Sequence, residues 1–398
     1  MLSRLRPASG LERVATAAAL GRVTAEPIRS GETLPAFPRS TMDGYAVRAA
    51  DTFGASDSAP AYLRLTGEVS MGTVAQQSVE AGCAIRVHTG AMLPPGADGV
   101  VIIEDTNLRE RELEVLRAAA PGENTLDVGE DIRNGDLVLD AGATLRPQDL
   151  GALHALGITQ VGVRPRPVVA VLSSGDEVVA PDERPRLGAV RDVNTITVSA
   201  TIERAGGQSV SHGIVADDEE ALVAAARAAL LRSDMLVLSA GSSVSARDIT
   251  AAAIARLGAP GILVHGIALR PGKPTILALC DGKPVVGLPG NPVSALVVAW
   301  RLVRPIVRRL LGASPSDDGL GDERALEARL TANVSSRPGR EDYVPARLTR
   351  ETDGTLLAAP IFGKSNLIFT LVRADALIEI PLDRAGASAG SIVRVVIP

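Results

Sequence analysis

Apolar runs alternate with amphipathic stretches between Arg166 and Gly312, and short polar loops separate them. Runs of about four to eight apolar residues bounded by Gly, Pro or Asp are typical of buried strands, whereas apolar residues three or four apart predict helices. We predict strands at Val168–Ser173, Val210–Val215, Asp234–Ser239, Ile262–Leu269, Thr275–Cys280 and Pro284–Leu288. The helices are predicted at Thr195–Ala205, Asp217–Leu231, Arg247–Leu257 and Pro292–Leu311.

Two of these helices carry start signals. Asp217 and Glu220 fit a capping box, and Asn291 followed by Pro292 fits a cap with proline in the first turn. Strand–helix alternation of this kind is typical of a mostly parallel sheet that is covered by helices on both faces. The pattern therefore predicts a doubly wound α/β domain over residues 166–313.

The flanking regions have a different pattern. Residues 1–165 combine a helical linker part with short strand-like pieces over about residues 45–130, for example Ala84–His88 and Val100–Glu104. After a polar, acidic linker, residues 324–398 show strand-like pieces at Ala328–Val334, Val344–Leu348, Ala376–Ile380 and Ser391–Ile397. We therefore predict a multidomain α/β plus β protein, with a discontinuous β-rich N-terminal region, a central α/β domain and a small C-terminal β domain.

The composition narrows the class of protein. Hydrophobic residues make up 46% of the 398 residues, yet no apolar run approaches the roughly 18 residues that a membrane helix needs. The net charge of −5 gives no reason to expect a nucleic-acid or membrane partner. Cys83 and Cys280 are far apart in sequence and the 4 histidines are scattered, so we expect a reducing, cytoplasmic location and no zinc site.

Four small, polar loops follow predicted strands, at Ser173–Glu177, Ser239–Ser245, Arg270–Pro274 and Gly287–Pro292. Ligands bind outside the carboxyl ends of strands in open α/β sheets, and small residues before a helix let an anion reach backbone N–H groups. These loops therefore predict a phosphate or oxyanion cradle, although each loop taken alone also fits a simple tight turn. The candidate binding residues are Ser174, Gly175, Gly241, Ser242, Ser243, Ser245, Gly290 and Asn291.

Carboxylates lie beside these loops in the sequence. Asp176, Glu177 and Asp248 would repel a phosphate unless a hard cation lay between them. Because Mg²⁺ typically uses one or two carboxylates together with substrate phosphate oxygens, we predict a Mg²⁺ site with these residues as candidate ligands. For Glu177 and for Asp192, a helix cap or an exposed turn is an alternative explanation.

The third loop carries two cations on a short, stiff turn. Arg270 and Lys273 flank Pro271 and Gly272, and Pro274 follows. Charge-assisted hydrogen bonds from such a turn would hold a tetrahedral oxyanion, and the alternative is a solvated turn without a ligand.

Seven segments occur here in the order found in the molybdopterin molybdenumtransferase family, which the chain resembles from about residue 30 to its end. They are Phe37–Val47 with its Ser-Thr-Met-Asp-Gly-Tyr-Ala core, Thr89–Asp98, Gly129–Asp131, Ser174–Glu177, Arg270–Pro274, Gly287–Ser294, and Gly363–Asn366 with Arg373–Asp375. The resemblance implies an elongated subunit that forms a homodimer. It also implies a reaction in which adenylylated molybdopterin and molybdate give molybdenum cofactor and AMP with the help of Mg²⁺.

The resemblance also implies roles for individual residues. Acidic positions of the family fall on Asp43, Asp131, Glu177 and Asp248, and a polar site residue falls on Thr89. We expect catalytic roles for Asp43, Thr89, Asp131 and Asp248. Arg270–Pro274 is similar to the molybdate turn of the family, with Arg in place of its first Lys, and Arg340 and Ser365 are expected to complete that pocket.

Asp43 is remote in sequence from the α/β domain, so a site built from two subunits would explain its role. The alternative is that Asp43 only closes a turn onto Tyr45.

The second loop departs from the family pattern, because Ala240 and Ser245 replace glycines. We expect the loop to bind the pterin phosphate through its hydroxyl groups as well as through Gly241. One alternative is a non-catalytic paralogue that only binds the cofactor. Another is a molybdopterin adenylyltransferase, although those proteins typically consist of the α/β domain alone.

Overall fold

The computed structural model describes residues 1–7, 10–239, 244–314 and 324–397. Gly241, Ser242 and Ser243 of the predicted cradle lie outside the described residues. The chain divides into two compact units, of which one combines residues 1–26 with 140–398 and the other comprises residues 27–139.

The elements follow one another along the chain in this order. Up to residue 139 the strands are β1 (Glu12–Ala15), β2 (Ile28–Arg29), β3 (Arg39–Ser40), β4 (Gly44–Val47), β5 (Ala61–Val69), β6 (Cys83–Val87), β7 (Gly99–Ile102), β8 (Thr106–Arg109), β9 (Glu112–Val115), β10 (Thr125–Leu126) and β11 (Leu137–Leu139). Short 3-10 helices lie at Leu2–Arg4, Thr16–Ala18, Ala49–Thr52 and Ile103–Asp105.

The central part contains α1 (Pro147–Ala155), β12 (Gln160–Val163), β13 (Val168–Ser174), β14 (Val178–Val179), β15 (Val190–Arg191), α2 (Asn194–Arg204), β16 (Gln208–Val215), α3 (Glu219–Leu231), β17 (Met235–Ser239), α4 (Val244–Ala255), β18 (Pro260–His265), β19 (Leu269–Arg270), β20 (Ile276–Cys280), β21 (Lys283–Leu288), α5 (Pro292–Val298), a π-helical segment (Ala299–Val303) and α6 (Arg304–Leu310). The last part contains β22 (Arg324–Leu330), β23 (Val334–Ser335), β24 (Glu341–Arg350), β25 (Leu356–Pro360), α7 (Phe369–Val372), β26 (Ala376–Ile380), β27 (Gly386–Ala387) and β28 (Ile392–Ile397).

The central sheet has the strand order β16-β13-β17-β21-β20-β18. Its first four strands run parallel, and β20 and β18 continue the sheet in antiparallel pairings. Alternate residues of β13 point to opposite faces: Val169 and Val171 pack in the core formed with α2, α5 and α6, whereas Ala170 and Leu172 pack in the core formed with α3 and α4. The predicted mostly parallel, doubly wound sheet is confirmed.

The C-terminal sheet has the order β19-β24-β25-β22-β28-β26, and β24 also pairs with β26. Five of its strands therefore close on themselves around a small core that includes Leu330, Ala346, Ile378 and Val395. The sixth strand, β19, comes from the central part of the chain and pairs in parallel with the start of β24. The predicted C-terminal β domain is confirmed, and it is hydrogen-bonded directly to a central segment.

The unit of residues 27–139 is built on a six-stranded sheet in the order β7-β4-β6-β5-β9-β8. Apolar residues pack on both of its faces, with Val69, Ile85 and Val100 in one cluster and Leu63 and Leu113 in the other. The β-rich N-terminal region predicted from the sequence is confirmed.

Several element boundaries differ from the sequence predictions. The single strand predicted over Ile262–Leu269 is wrong, because the chain turns at Gly266, where φ is +88°, and resumes as β19 in the other sheet. Helix α3 is capped by Asp218, whose carboxylate accepts from Ala221 N at 2.8 Å, so the predicted Asp217 cap is off by one residue. The predicted helix over Pro292–Leu311 is continuous but includes a π-helical segment, and strand β25 was not predicted.

In the described ranges of the chain, no helix combines the length and the apolar character that a membrane span requires.

Candidate functional site

The carboxyl ends of three parallel strands lie level in the central sheet. In the register of the sheet, Ser173 of β13 pairs with Ser239 of β17, which pairs with Leu288 of β21. Strand β20 runs the other way, and its first residue, Ile276, pairs with Gly287. The turn at 270–274 therefore lies at the same edge as the carboxyl ends of β13, β17 and β21, as predicted.

Asn194, at the start of α2, connects two of these loops. Its side-chain amide N–H groups donate to Ser239 Oγ at 2.8 Å and to the Gly290 carbonyl at 2.9 Å. Asp192 Oδ1 accepts from the backbone N–H groups of Asn194 and Thr195, each at 3.0 Å, which makes Asp192 a helix cap. The helix-cap alternative is therefore correct for Asp192. Asn194 was missed in the sequence, where its only signal is its place at a predicted helix start.

The first loop gathers carboxylates at this edge. Gly175 has a φ of +148°, and an added Cβ would lie 2.8 Å from Val178 Cγ2, so the tight turn requires glycine. The backbone N–H of Asp217 donates to Asp176 Oδ1 at 3.2 Å. Burial raises the pKa of the Asp217 carboxyl, and the nearby Glu177 and Asp176 raise that pKa further. Asp217 therefore belongs to the acidic group, although the sequence suggested only a helix cap.

The predicted metal ligands are not assembled into one set. Asp248 is an exposed residue of α4, and Ser245 lies in the first turn of that helix. Among residues 1–7, 10–239, 244–314 and 324–397, no three His, Cys, Asp or Glu side chains are placed to hold a metal ion together.

The cationic turn is shaped by backbone contacts. Ile267 N donates to the Lys273 carbonyl at 2.9 Å, and the buried Thr275 hydroxyl donates to the Gly272 carbonyl at 2.7 Å. Gly272 has a φ of +131°, and a Cβ there would lie 2.6 Å from Val298 Cγ2. Glycine is therefore needed both for the backbone conformation and for the close packing on α5.

A buried carboxylate orients two arginines beside this turn. Asp342 is only 1% exposed, and its Oδ2 accepts from Arg270 Nη1 at 3.1 Å. Arg340 Nε donates to Asp342 Oδ1 at 2.8 Å, and Arg340 Nη2 donates to Oδ2 at 3.3 Å. Both guanidinium groups keep further N–H donors that can bind an anion. Asp342 was missed in the sequence, where its only signal is the pattern Arg-Glu-Asp in a polar turn.

A cavity of about 1190 Å³ brings the predicted oxyanion-binding residues together. The whole Arg270–Pro274 turn lines it, together with Asn291, Arg340 and Ser365. Asn291 Nδ2 donates to Ser365 Oγ at 3.0 Å and thereby fixes the position of the serine. The sequence had suggested that Asn291 caps α5, but its side chain makes no capping hydrogen bond. Lys364, which was not predicted, also lines the cavity.

Asp43 and Thr89 lie together in the unit of residues 27–139. Asp43 Oδ1 accepts from the Thr89 backbone N–H at 2.7 Å and from the Thr89 hydroxyl at 3.0 Å. Both bonds lower the pKa of the Asp43 carboxyl, and the bond from the backbone N–H has the larger effect. The carboxylate thus binds Thr89 rather than closing a turn onto Tyr45. The third predicted acid of this unit, Asp131, is exposed, and its backbone N–H donates to the Leu34 carbonyl at 3.1 Å.

Three family models match consecutive parts of the chain. Residues 1–157 match the MoeA N-terminal region (domain I and II). Residues 170–309 match a probable molybdopterin binding domain, and residues 327–397 match the MoeA C-terminal region (domain IV).

Individual relatives match over nearly the whole chain. A molybdopterin molybdenumtransferase of Haemophilus influenzae is 32% identical over 379 residues, which cover 95% of this chain and 91% of that protein. One from Nostoc sp. is 32% identical over 384 residues, covering 95% of this chain and 86% of its own length. The solved structure of a molybdopterin biosynthesis MoeA protein from Pyrococcus horikoshii is 30% identical, with a TM-score of 0.85 over 100% of this chain and 97% of that chain.

Proposed function

This chain belongs to the molybdopterin molybdenumtransferase family, and on that premise we propose that it inserts molybdenum from molybdate into adenylylated molybdopterin, with release of AMP. The product is molybdenum cofactor. The cavity beside the cationic turn is the observation that carries this proposal.

The charge of the cavity suits a small oxyanion. Arg270, Lys273, Arg340 and Lys364 line it, and Asp342 is the carboxylate among the described lining residues. Because that carboxylate is buried and shared by two guanidinium groups, the lining keeps a net positive charge. Ser365 adds a hydroxyl whose position is fixed by Asn291. A tetrahedral oxyanion such as molybdate would accept charge-assisted hydrogen bonds from these groups.

We assign the pterin nucleotide to the neighbouring carboxyl edge of the central sheet. Small residues lie at the described part of this edge, among them Ser174 and Gly175 at the end of β13 and Gly290 after β21. The loop at 239–245, with its four serines, is proposed to hold the pterin phosphate.

Mg²⁺ is proposed as the cofactor, held by Asp176 and Glu177 with Asp248 as a further candidate. The acidic group fits a cation, because Asp176 and Glu177 raise the pKa of Asp217, and a divalent ion would relieve this repulsion. Two carboxylates are enough for Mg²⁺ when substrate phosphate oxygens and water complete its shell. When bound, Mg²⁺ would neutralise charge on the phosphoanhydride. The chain's own cations then have the task of holding molybdate in place.

A homodimer with a shared site is part of the same proposal. Asp43, Thr89 and Asp131 belong to the unit of residues 27–139, whereas the cavity belongs to the other unit. We propose that a second subunit supplies these residues to the reaction, and that the protein works in the cytoplasm.

The direct test is AMP release from purified adenylylated molybdopterin. We expect AMP to appear when molybdate is added with Mg²⁺, and only slowly without molybdate. A protein that binds the pterin nucleotide but never releases AMP would instead be a binding paralogue. ATP consumption with free molybdopterin would indicate an adenylyltransferase, a function that the matched N-terminal and C-terminal regions disfavour.

A further inference from the structure

We propose that His265 carries protons during molybdenum insertion, as the acid–base group of the cationic cavity. This inference rests on the proposed function and adds a catalytic residue to it.

His265 occupies a fixed position at the wall of the cavity. It is the last residue of β18 and pairs with Ile276 of β20. Just beyond it, Gly266 N donates to the Thr275 carbonyl and Ile267 N donates to the Lys273 carbonyl, each at 2.9 Å. These bonds hold the base of the hairpin whose tip is the cationic turn.

The side chain of His265 is free to act on a ligand. It is exposed and lines the cavity, and it makes no hydrogen bond or ion pair with any residue in the described part of the chain. Because the ring is exposed and lies at the cavity wall, a ligand in the cavity can reach its nitrogen atoms without displacing a protein partner.

The other charged and titratable groups that face the cavity do not suit this task. They are Arg270, Lys273, Arg340, Lys364, Asp342 and Tyr343. Ammonium and guanidinium groups, as classes, hold their protons at neutral pH. Both carboxylate oxygens of Asp342 already accept hydrogen bonds from the two arginines, and the buried Tyr343 hydroxyl donates to Glu341 at 3.3 Å. Imidazole is the side chain whose charge ordinarily changes near neutrality, and His265 is the histidine among the described lining residues.

The insertion step needs such a group. When the dithiol of molybdopterin reacts with molybdate, two S–H bonds and one Mo–O bond break and two Mo–S bonds form. The departing oxide leaves as water with both thiol protons, so the trioxo dithiolate product keeps the charge of molybdate and no electrons are transferred. Both protons must therefore move from sulfur to oxygen. A neutral imidazole accepts a proton from S–H, and the resulting imidazolium donates it to the oxide.

The test is the substitution His265→Gln, which keeps a hydrogen-bonding side chain but removes the titrating ring. We expect the single-turnover rate of molybdenum insertion to fall about 100-fold, the order of magnitude of general acid–base catalysis. The molybdate dissociation constant should change much less. Added imidazole should restore part of the lost rate.

His212→Gln is the matched control, because His212 is an exposed histidine of β16 that does not line the cavity. Its single-turnover rate should equal that of the wild type, and added imidazole should not change it. A His265→Gln variant that keeps the wild-type rate would overturn the proposal, and so would an equal loss of molybdate affinity and of rate. If His265→Gln fails to fold, His265→Asn is measured in the same way. A wild-type protein that releases no AMP on addition of molybdate would overturn the proposed function itself.

Discussion

Asp43 shows how a single neighbour sets the charge of an exposed carboxylate. Thr89 donates two hydrogen bonds to one oxygen of Asp43, and both lower its pKa. A carboxyl whose pKa is lower in the folded than in the unfolded protein stabilises the fold above its unfolded pKa. This contribution disappears as the pH falls through the folded pKa. The pair therefore keeps Asp43 ionised into the acidic range.

We predict that Thr89→Ala raises the pKa of Asp43 towards its ordinary value. The hydroxyl donor is lost, whereas the backbone N–H, which has the larger effect, remains. Carboxyl carbon shifts in an NMR titration would measure the change. Asp353, whose pKa is lowered in the same way by Thr355, is an internal control and should not move. An unchanged Asp43 titration would contradict the role assigned to the hydroxyl.

Lys273 gives a second test at the level of one residue. Because charge-assisted hydrogen bonds contribute about 1.5–3 kcal/mol each, Lys273→Ala should weaken molybdate binding at least about tenfold. Binding of the pterin nucleotide should change far less. Lys283→Ala is a suitable control, because the Lys283 ammonium donates to the Leu230 carbonyl and does not line the cavity. Equal losses for both ligands would mean that the turn does not hold molybdate.

The cationic turn is an element whose shape depends on one glycine. Gly272 combines a φ of +131° with close packing against Val298, whereas Gly282 has a φ of +83° and open space around the position of a Cβ. The two glycines therefore separate the cost of backbone conformation from the cost of packing.

We predict that Gly272→Ala lowers the free energy of unfolding by more than Gly282→Ala does. Both substitutions carry a backbone cost of about 1–3 kcal/mol. Overpacking against α5 should add a similar amount, about 1–3 kcal/mol, at Gly272 only. Urea denaturation of the two variants measures the difference. Equal losses would show that α5 yields to the added methyl group.

Long elements could be predicted from the sequence because their signals extend over many residues. The short apolar run of β13, which is buried from Val169 to Ser174, and the helical spacing of α3 were both recognised correctly. The exact capping residue of α3 was missed, because aspartate at 217 or at 218 is an equally good cap by sequence. In the structure Asp218 accepts from Ala221 N, whereas the backbone N–H of Asp217 donates to Asp176. Strand β19 is only two residues long, and its partner lies 72 positions away, at Asp342. No local pattern could have predicted that pairing.

The charge of the whole molecule is opposite in sign to that of its cavity. The chain carries a net charge of −5, whereas four of the five charged lysine, arginine and acidic side chains lining the cavity are cations. The proposed selection of an anion would therefore depend on these local groups. The short cationic turn predicted Arg270 and Lys273, and the family resemblance added Arg340 and Ser365. Asp342 and Lys364 became evident only from the packing.

For the whole molecule we predict a homodimer in solution, because the proposed reaction takes Asp43, Thr89 and Asp131 from a second subunit. Light scattering coupled to size-exclusion chromatography would measure the mass. A decisive version mixes an Asp43→Asn variant with a Lys273→Ala variant. At a molybdate concentration too low for the Lys273→Ala variant, each homodimer should have little activity. Exchange of subunits should then restore part of the activity, since one mixed site is intact. A stable, fully active monomer would refute the shared site.

The pairing of β19 with β24 connects the C-terminal sheet to the segment that links β18 and β20 of the central sheet. The turn that we propose to hold the oxyanion begins in the C-terminal sheet and ends at the start of β20 in the central sheet. A local opening that separates the two sheets would also disrupt this turn, so an anion bound at the turn would oppose the opening. Occupancy should therefore slow amide hydrogen exchange in β20 and β24 together, by a factor that grows with anion concentration. In cells, a larger supply of the anion would then make β20, β24 and the turn between the sheets more resistant to proteolysis.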